Sequence, residues 1–488
     1  MKKLFLFSLL LCKSALIGQT VLNSLPLNLD AAAENAQTLN AEDVKTHDIY
    51  VFAADNRNIN ILKYNKSLFL TNQFTDTIRN PENRSLTGYS ISEDGNPLLY
   101  WTSQNTRNIK IIKYFLGLKT SRVLNFDFPE ENEYIITTFQ KNNIFYVLGK
   151  EKGQKHLLLY EFQNGKCEIK MFDFSAFNFQ TEKGQNFTFN ALIRNYPVQK
   201  MEASDFNPLE KASAINKMYI LEDHIFLTFD YNTQKTQVFD LNLKTLEIKE
   251  KIFSQPATKK VSRSSNSFYS DGRLFQVKAN SDEFLYTIKD FDSGQTLKSV
   301  SVSKNDTIRF KNSPLFLQTN NDKPIELKNT AKFLKQLSDL STGISVFKNK
   351  KNSFVTFGGF VEYIVSNFQY GQGDFFNDYN GGQSYYVQNK MVFFDSMFDS
   401  NLDFVSNKQS EPLAIDNAYY YLSTNRNAAL QNILKLKDYY ILSYYDTALK
   451  QFILRRFTDG FIREGDGNPV MNKAQFSKPF SFEPIKTR

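Results

Sequence analysis

The chain has 488 residues, 41% hydrophobic and 15% aromatic, with 46 Phe and 25 Tyr against 20 Gly and 13 Pro, a composition that favours pleated, half-buried strands. The formal net charge is +8, and three of those positive charges, Lys2, Lys3 and Lys13, fall in or beside the apolar N-terminal run, leaving +5 on the remainder. So mild an excess over so long a chain is not a nucleic-acid signature; it predicts a mixed-charge solvated surface with at most a weak attraction to anionic lipid or polysaccharide.

At the N-terminus Lys2 and Lys3 precede an apolar run over residues 4–11, followed by small and polar residues through Gly18 and Gln19. This is the three-part plan of a secretory signal peptide. The run is far shorter than the roughly 20 apolar residues of a membrane-spanning helix, and no second such stretch follows. Residues 1–18 are therefore assigned as a leader cut near Gly18, although Leu16 is bulky for the position three residues before the cut. A competing lipoprotein reading takes Cys12 as the lipidated residue, and Leu11 argues against it, because a small residue belongs there. The expected destination is the periplasm, the outer membrane surface or the exterior. With Cys12 in the leader, Cys167 has no intramolecular disulfide partner and is expected to be a buried, inert thiol.

Residues 19–46 are polar and alanine-containing without strand periodicity, and are assigned as a linker to a single domain over residues 47–488. Short apolar or alternating runs then recur at residues 49–53, 98–101, 144–148, 225–229, 274–277, 354–357 and 439–442. Each is a candidate inner strand. Their first residues are 49, 46, 81, 49, 80 and 85 positions apart, and three of these intervals share a period found in repeated four-stranded units. The layout inside the units repeats too. Residues 217–221, 225–229, 237–241 and 246–252 form one set of four short runs, and 267–269, 274–277, 284–288 and 297–302 form the next. The outer hairpins of both carry Asp-containing turns, at Asp240 and at Asp290 and Asp292.

On these residues the chain resembles secreted bacterial β-propellers of the quinoprotein-like or surface-repeat type, over most of residues 47–470. The resemblance is architectural. It implies an all-β propeller, with seven blades and with six or eight as alternatives. It carries no cofactor: no quinone-binding constellation is present, and Trp101 is the single tryptophan. Two of the long intervals, residues 175–214 and 304–342, are read as insertions. In the second, Phe333, Leu334, Leu337 and Leu340 share a helical face, Asn329 or Thr330 suits the start and Gly343 the end, which predicts a short helix near 331–341. Asp94-Gly95-Asn96-Pro97 recurs as Asp466-Gly467-Asn468-Pro469, read as equivalent blade turns.

The third long interval holds the candidate site. Over residues 367–386 glycines alternate with aromatic and polar side chains, and Tyr370, Asp374, Phe375, Phe376, Asp378 and Tyr379 are the expected ligand contacts, because such side chains stack on and hydrogen-bond to sugars and peptides. A long connection that packs its aromatics locally is the plainer alternative. Asp374 and Asp378 do not match a calcium loop, and no metal-ligand spacing, nucleophile elbow or phosphate loop is found. His47, His156 and His224 stand apart in sequence and are expected to be structural. The function expected is a non-enzymatic binding or scaffolding propeller of the bacterial cell envelope, with a protein or glycan partner and no nucleic acid. A propeller glycoside hydrolase or polysaccharide lyase is the alternative, and a structural subunit of an outer-membrane assembly a third.

Overall fold

The computed structural model describes residues 19–33, 36–77, 84–103, 107–128, 133–320, 322–349, 352–368, 383–406 and 412–460. These fall into two compact units. Of the described residues, the first holds those within 19–177 and 412–460, the second those within 178–406.

The first unit contains four sheets of four antiparallel strands. Sheet I runs through Gln37–Glu42, Ile49–Ala54, Asn58–Tyr64 and Leu70–Thr77, sheet II through Arg84–Ile91, Pro97–Ser103, Asn108–Phe115 and Thr120–Asp127, and sheet III through Glu133–Lys141, Ile144–Glu151, His156–Gln163 and Lys166–Asp173. In each, strand order in space equals strand order in sequence. The second strand is the most deeply buried: Val51, Phe52, Leu98, Leu99, Phe145 and Val147 have no exposed surface. The fourth strand alternates, as Leu70–Thr77 does, because it covers the sheet with one face and meets water with the other.

Sheet VII is assembled from both ends of the described chain. Ala428–Lys435, Tyr440–Asp446 and Gln451–Phe457 supply three strands, and Gln19–Pro26 pairs antiparallel with Gln451–Phe457 as the fourth. The residues expected to form a linker therefore contribute two strands, Gln19–Pro26 and Gln37–Glu42. A bulge between Val21 and Asn23 breaks the alternation of the first, which removes the sequence signal. Leu27, Leu29 and partly buried Leu22 and Leu25 fill a core with Val51, Tyr64, Ile441 and Leu454.

The second unit contains sheets IV to VI. Sheet IV is Asn216–Ile220, His224–Asn232, Lys235–Asn242 and Ile248–Ser254, preceded by Val198–Met201 in parallel with the first of these. Sheet V is Ser264–Ser270, Arg273–Ala279, Glu283–Asp290 and Thr296–Ser303. Sheet VI places Ser341–Lys348, Ser353–Phe368, Gln383–Phe398, Phe316–Thr319 and Ile325–Glu326 side by side. The two expected insertions contain no further sheet of this size among the described residues. The first holds a two-stranded ribbon, Phe179–Gln180 with Asn186–Phe187, and the helices α1 (Phe189–Asn195) and α2 (Leu209–Ala212). The second adds the two short strands of sheet VI and the expected helix, α3 (Thr330–Leu337), whose Lys332 N–H is capped by Asn329 Oδ1 at 3.0 Å. Phe333, Leu334 and Leu337 are fully buried.

A fourth helix, α4 (Ala414–Thr424), was not expected from sequence. Its start is tied by Leu413 N–H to Asp416 Oδ2 at 2.9 Å and by Ala414 N–H to Asp459 Oδ1 at 2.8 Å, the second a tertiary contact. Gly358 of sheet VI must be glycine for a packing reason: a Cβ there would lie 1.9 Å from the Val392 carbonyl oxygen and 2.9 Å from Leu209 of α2.

Candidate functional site

All six expected contacts, Tyr370, Asp374, Phe375, Phe376, Asp378 and Tyr379, lie outside the described residues. What is described is the stem that carries them, a hairpin of two 16-residue strands in register from Ser353↔Phe398 to Phe368↔Gln383. The strands thus run further than the expected loop boundaries of 367 and 386.

The two ends of this hairpin live in different surroundings. Toward Ser353 and Phe398 it is enclosed by neighbouring strands, with Ser341 opposite Phe360 at the last pair on one side and Thr319 opposite Lys390 on the other. Phe357 and Phe394 stack at 5.3 Å and touch Tyr286, Phe284 and Phe310 at ring distances of 5.0 to 6.0 Å. Thr356 Oγ1 donates to Asp395 Oδ1 at 2.7 Å. At Asn389 the enclosure stops: Asn320 donates its N–H to the Asn389 carbonyl at 2.9 Å and accepts the Asn389 N–H at its side chain at 3.0 Å. Past that point no third strand accompanies the hairpin among the described residues. The six residues from Tyr363 to Phe368 then carry the ribbon about 20 Å further, at about 3.3 Å per residue. Tyr363, Ile364 and Val387 stand exposed on it, Ile364 by 72%.

The other chemistry-bearing residues are held in structural pairs. His47 Nδ1 lies 2.8 Å from Glu42 Oε1, His156 Nε2 3.0 Å from Glu151 Oε2, and His224 Nδ1 2.5 Å from Asp240 Oδ1. Cys167 is half-buried rather than fully enclosed, and burial pushes its thiol up to about 12, which leaves it protonated near neutrality. Asp94 of the first Asp-Gly-Asn-Pro turn, paired with Lys113 at 2.8 Å, sits in a surface turn of sheet II; the second copy of that motif lies outside the described residues.

One cluster was missed by the sequence reading. Asp230 and Lys217 are both fully buried and lie 3.2 Å apart. Asp230 Oδ2 also accepts from Ser267 N–H and Ser267 Oγ, each at 2.8 Å, while Oδ1 accepts from Thr236 Oγ1 at 2.7 Å and Gln255 Nε2 at 3.2 Å. Gln276 Nε2 joins through Thr236 Oγ1 at 3.1 Å. Burial lowers the Lys217 ammonium's affinity for its proton, and the attraction of Asp230 opposes it. Sealed from solvent, the cluster pins sheet V to sheet IV rather than meeting a ligand. Its only trace in the sequence is a lysine beside the apolar Met218–Ile220 and an aspartate closing the run 225–229.

Small antiparallel sheets of four strands, most of them meanders in sequence order and repeated along the chain, are the architecture of a β-propeller. No family model and no curated protein matches the chain. Among solved structures it is similar to the WD40 domain of SCAP from fission yeast, at 10% identity over 88% of this chain and 85% of that one, with a TM-score of 0.29. It is similar also to the β-propeller domain of the Trilobed protease from Pyrococcus furiosus, at 10% identity over 88% and 100% with a TM-score of 0.31, and to dipeptidyl peptidase 4 of Porphyromonas gingivalis, at 7% over 70% and 45% with a TM-score of 0.31.

Proposed function

We propose that the chain is an exported, non-enzymatic binding or scaffolding propeller of the bacterial cell envelope, with one blade per four- or five-stranded sheet, that engages a protein or glycan partner through the hairpin of sheet VI. The observation that carries the reading is the unaccompanied half of that hairpin. A blade needs only a tight turn between its middle strands, whereas here the backbone continues for several more pairs and displays Tyr363, Ile364 and Val387 to solvent. Ordering such a ribbon costs entropy and exposing its apolar side chains invites aggregation, so a partner that covers them is its physical justification. Export is supported by the N-terminal pattern of Lys2 and Lys3, the apolar run over residues 4–11 and the small and polar residues through Gly18.

The test is a pull-down of the exported chain from envelope extract, with glycan-array binding in parallel. The comparison is a variant in which residues 363–388 are replaced by a two-residue Asn-Gly turn that keeps the enclosed half of the hairpin. Loss of the partner with an unchanged melting temperature supports the reading. Retention of the partner by the shortened variant overturns it.

A further inference from the structure

In a four-stranded meander the turn between the first and second strands and the turn between the third and fourth fall at the same end of the sheet. In the first unit this end comprises residues 43–48 and 65–69 of sheet I, 92–96 and 116–119 of sheet II, 142–143 and 164–165 of sheet III, and 436–439 of sheet VII. Side chains stitch these turns into one surface. Asn143 Nδ2 donates to Asp43 Oδ1 at 2.6 Å, Val44 N–H to Asn143 Oδ1 at 3.1 Å, Tyr50 Oη to the Gly95 carbonyl at 2.9 Å, Leu116 N–H to Asn96 Oδ1 at 3.1 Å and Glu93 N–H to Asn164 Oδ1 at 3.2 Å.

From that rigid surface three apolar side chains stand out into solvent: Val44, Phe69 at 69% exposure and Leu118 at 75%. Each has a lysine within three residues, Lys45, Lys66 and Lys119, and the turns of sheets III and VII add exposed Lys166 and Lys437. The Lys119 ammonium reaches Asn72 Oδ1 and the Gln73 carbonyl, neutral acceptors that bring the Leu118 turn beside the Phe69 turn without cancelling its charge. Two acids at this end pair with lysines outside that set, Asp48 with Lys63 and Asp94 with Lys113. Glu42 beside His47, Asp43 enclosed by the hydrogen bonds of its own turn, Glu93 and Asp438 are the other acids, against five exposed lysines.

We infer that this end of the first unit docks on an anionic lipid bilayer, with Val44, Phe69 and Leu118 entering the headgroup boundary and the lysines lying at phosphate level. Separate apolar tips, each beside an ammonium group, suit a fluid surface that closes around every tip, whereas a protein partner would need a matching pocket for each. The hairpin of sheet VI lies in the second unit, so failure of one proposal leaves the other standing.

Vesicle sedimentation of the full chain tests it, with phosphatidylcholine alone and with added phosphatidylglycerol. The variants are Phe69→Ser with Leu118→Ser, Lys45→Glu with Lys66→Glu, and, as a control, Ile169→Ser with Met171→Ser on the outer strand of sheet III, whose side chains are also exposed. The chain is expected to prefer phosphatidylglycerol vesicles and to bind them less as salt rises. The first variant should lose about tenfold or more in binding, the second should lose the preference for anionic lipid, and the control should match the unaltered chain. Failure of the unaltered chain to bind overturns the inference. So does equal binding by all four proteins, which would place the membrane contact elsewhere, for instance in the apolar run at residues 4–11.

Discussion

Asn40 donates two hydrogen bonds to Asn432, 392 positions away, where sheet I meets sheet VII: its backbone N–H to Asn432 Oδ1 at 3.1 Å and its side-chain Nδ2 to the Asn432 carbonyl at 3.2 Å. Asn432 Nδ2 also reaches the Thr38 carbonyl at 3.3 Å, and Ser443 Oγ donates to Asn40 Oδ1 at 2.8 Å. All of these groups are buried. Asn432→Ala should therefore leave a backbone donor and a backbone acceptor without these partners and cost about 2 to 4 kcal/mol. In denaturant titrations the double variant with Asn40→Ala should be less destabilised than the sum of the singles. Strict additivity would mean that the two asparagines act separately.

Asp230 and Lys217 should respond unequally. Lys217→Met leaves Asp230 with four other hydrogen bonds, whereas Asp230→Ala strands a buried ammonium and several neutral donors. The expected losses are about 1 to 3 kcal/mol for the lysine variant and about 3 to 5 kcal/mol or more for the aspartate variant. Equilibrium unfolding followed by circular dichroism measures both, and a reversed order would contradict the clamp assigned to this pair.

Gly358→Ala forces a methyl group onto the Val392 carbonyl and Leu209. Because the obstacle is backbone on a paired strand, the sheet has to part there, and a loss of about 2 kcal/mol or more is expected. Gly95→Ala, by contrast, meets nothing within 4 Å and suffers only from its φ of +71°, so about 1 kcal/mol is expected there. Melting temperatures of the two variants, compared side by side, check the order.

Acid should loosen the turn at residues 43–48. Burial pushes the Asp43 carboxyl up, and hydrogen bonds from Lys45 N–H, the Asn143 side chain and Thr46 outweigh it, leaving the group below its ordinary value of 3.8. A carboxyl with a lower pKa in the folded state contributes stability above the unfolded value and loses it as pH falls through the folded one. The gap in stability between the unaltered chain and Asp43→Asn should thus be constant near neutrality and narrow below about pH 4. A gap unchanged at low pH would show that Asp43 is not the titrating group.

How much of this was legible in the sequence depended on whether the signal was local. The face shared by Phe333, Leu334 and Leu337 announced α3 because helix period and cap residue sit within one short window. The strand runs announced themselves by apolar content. The helix α4 did not: Tyr419 to Tyr421 are aromatic residues that favour strands, and part of its cap comes from Asp459, 45 positions away. Gln19–Pro26 was read as a linker because its partner strand lies more than 400 residues on and a bulge interrupts its alternation. The Asp230 cluster draws on strands of two sheets, so no single window contained it. For the candidate loop, sequence located the hairpin but not how far its strands continue before the tip.

The pairing of Gln19–Pro26 with Gln451–Phe457 has a bearing on how the molecule is made. A ribosome delivers the edge strand of sheet VII more than 400 residues before the strand it must lie against. Until then that early strand has no mate, and three-stranded sheet VII, once made, offers an open edge that any extended segment could take. Completion of this sheet is then a joining of two segments that leave the ribosome far apart in time. Cells that keep the chain unfolded until it is released would be spared the wrong joins, in which the early strand of one molecule fills the late edge of another.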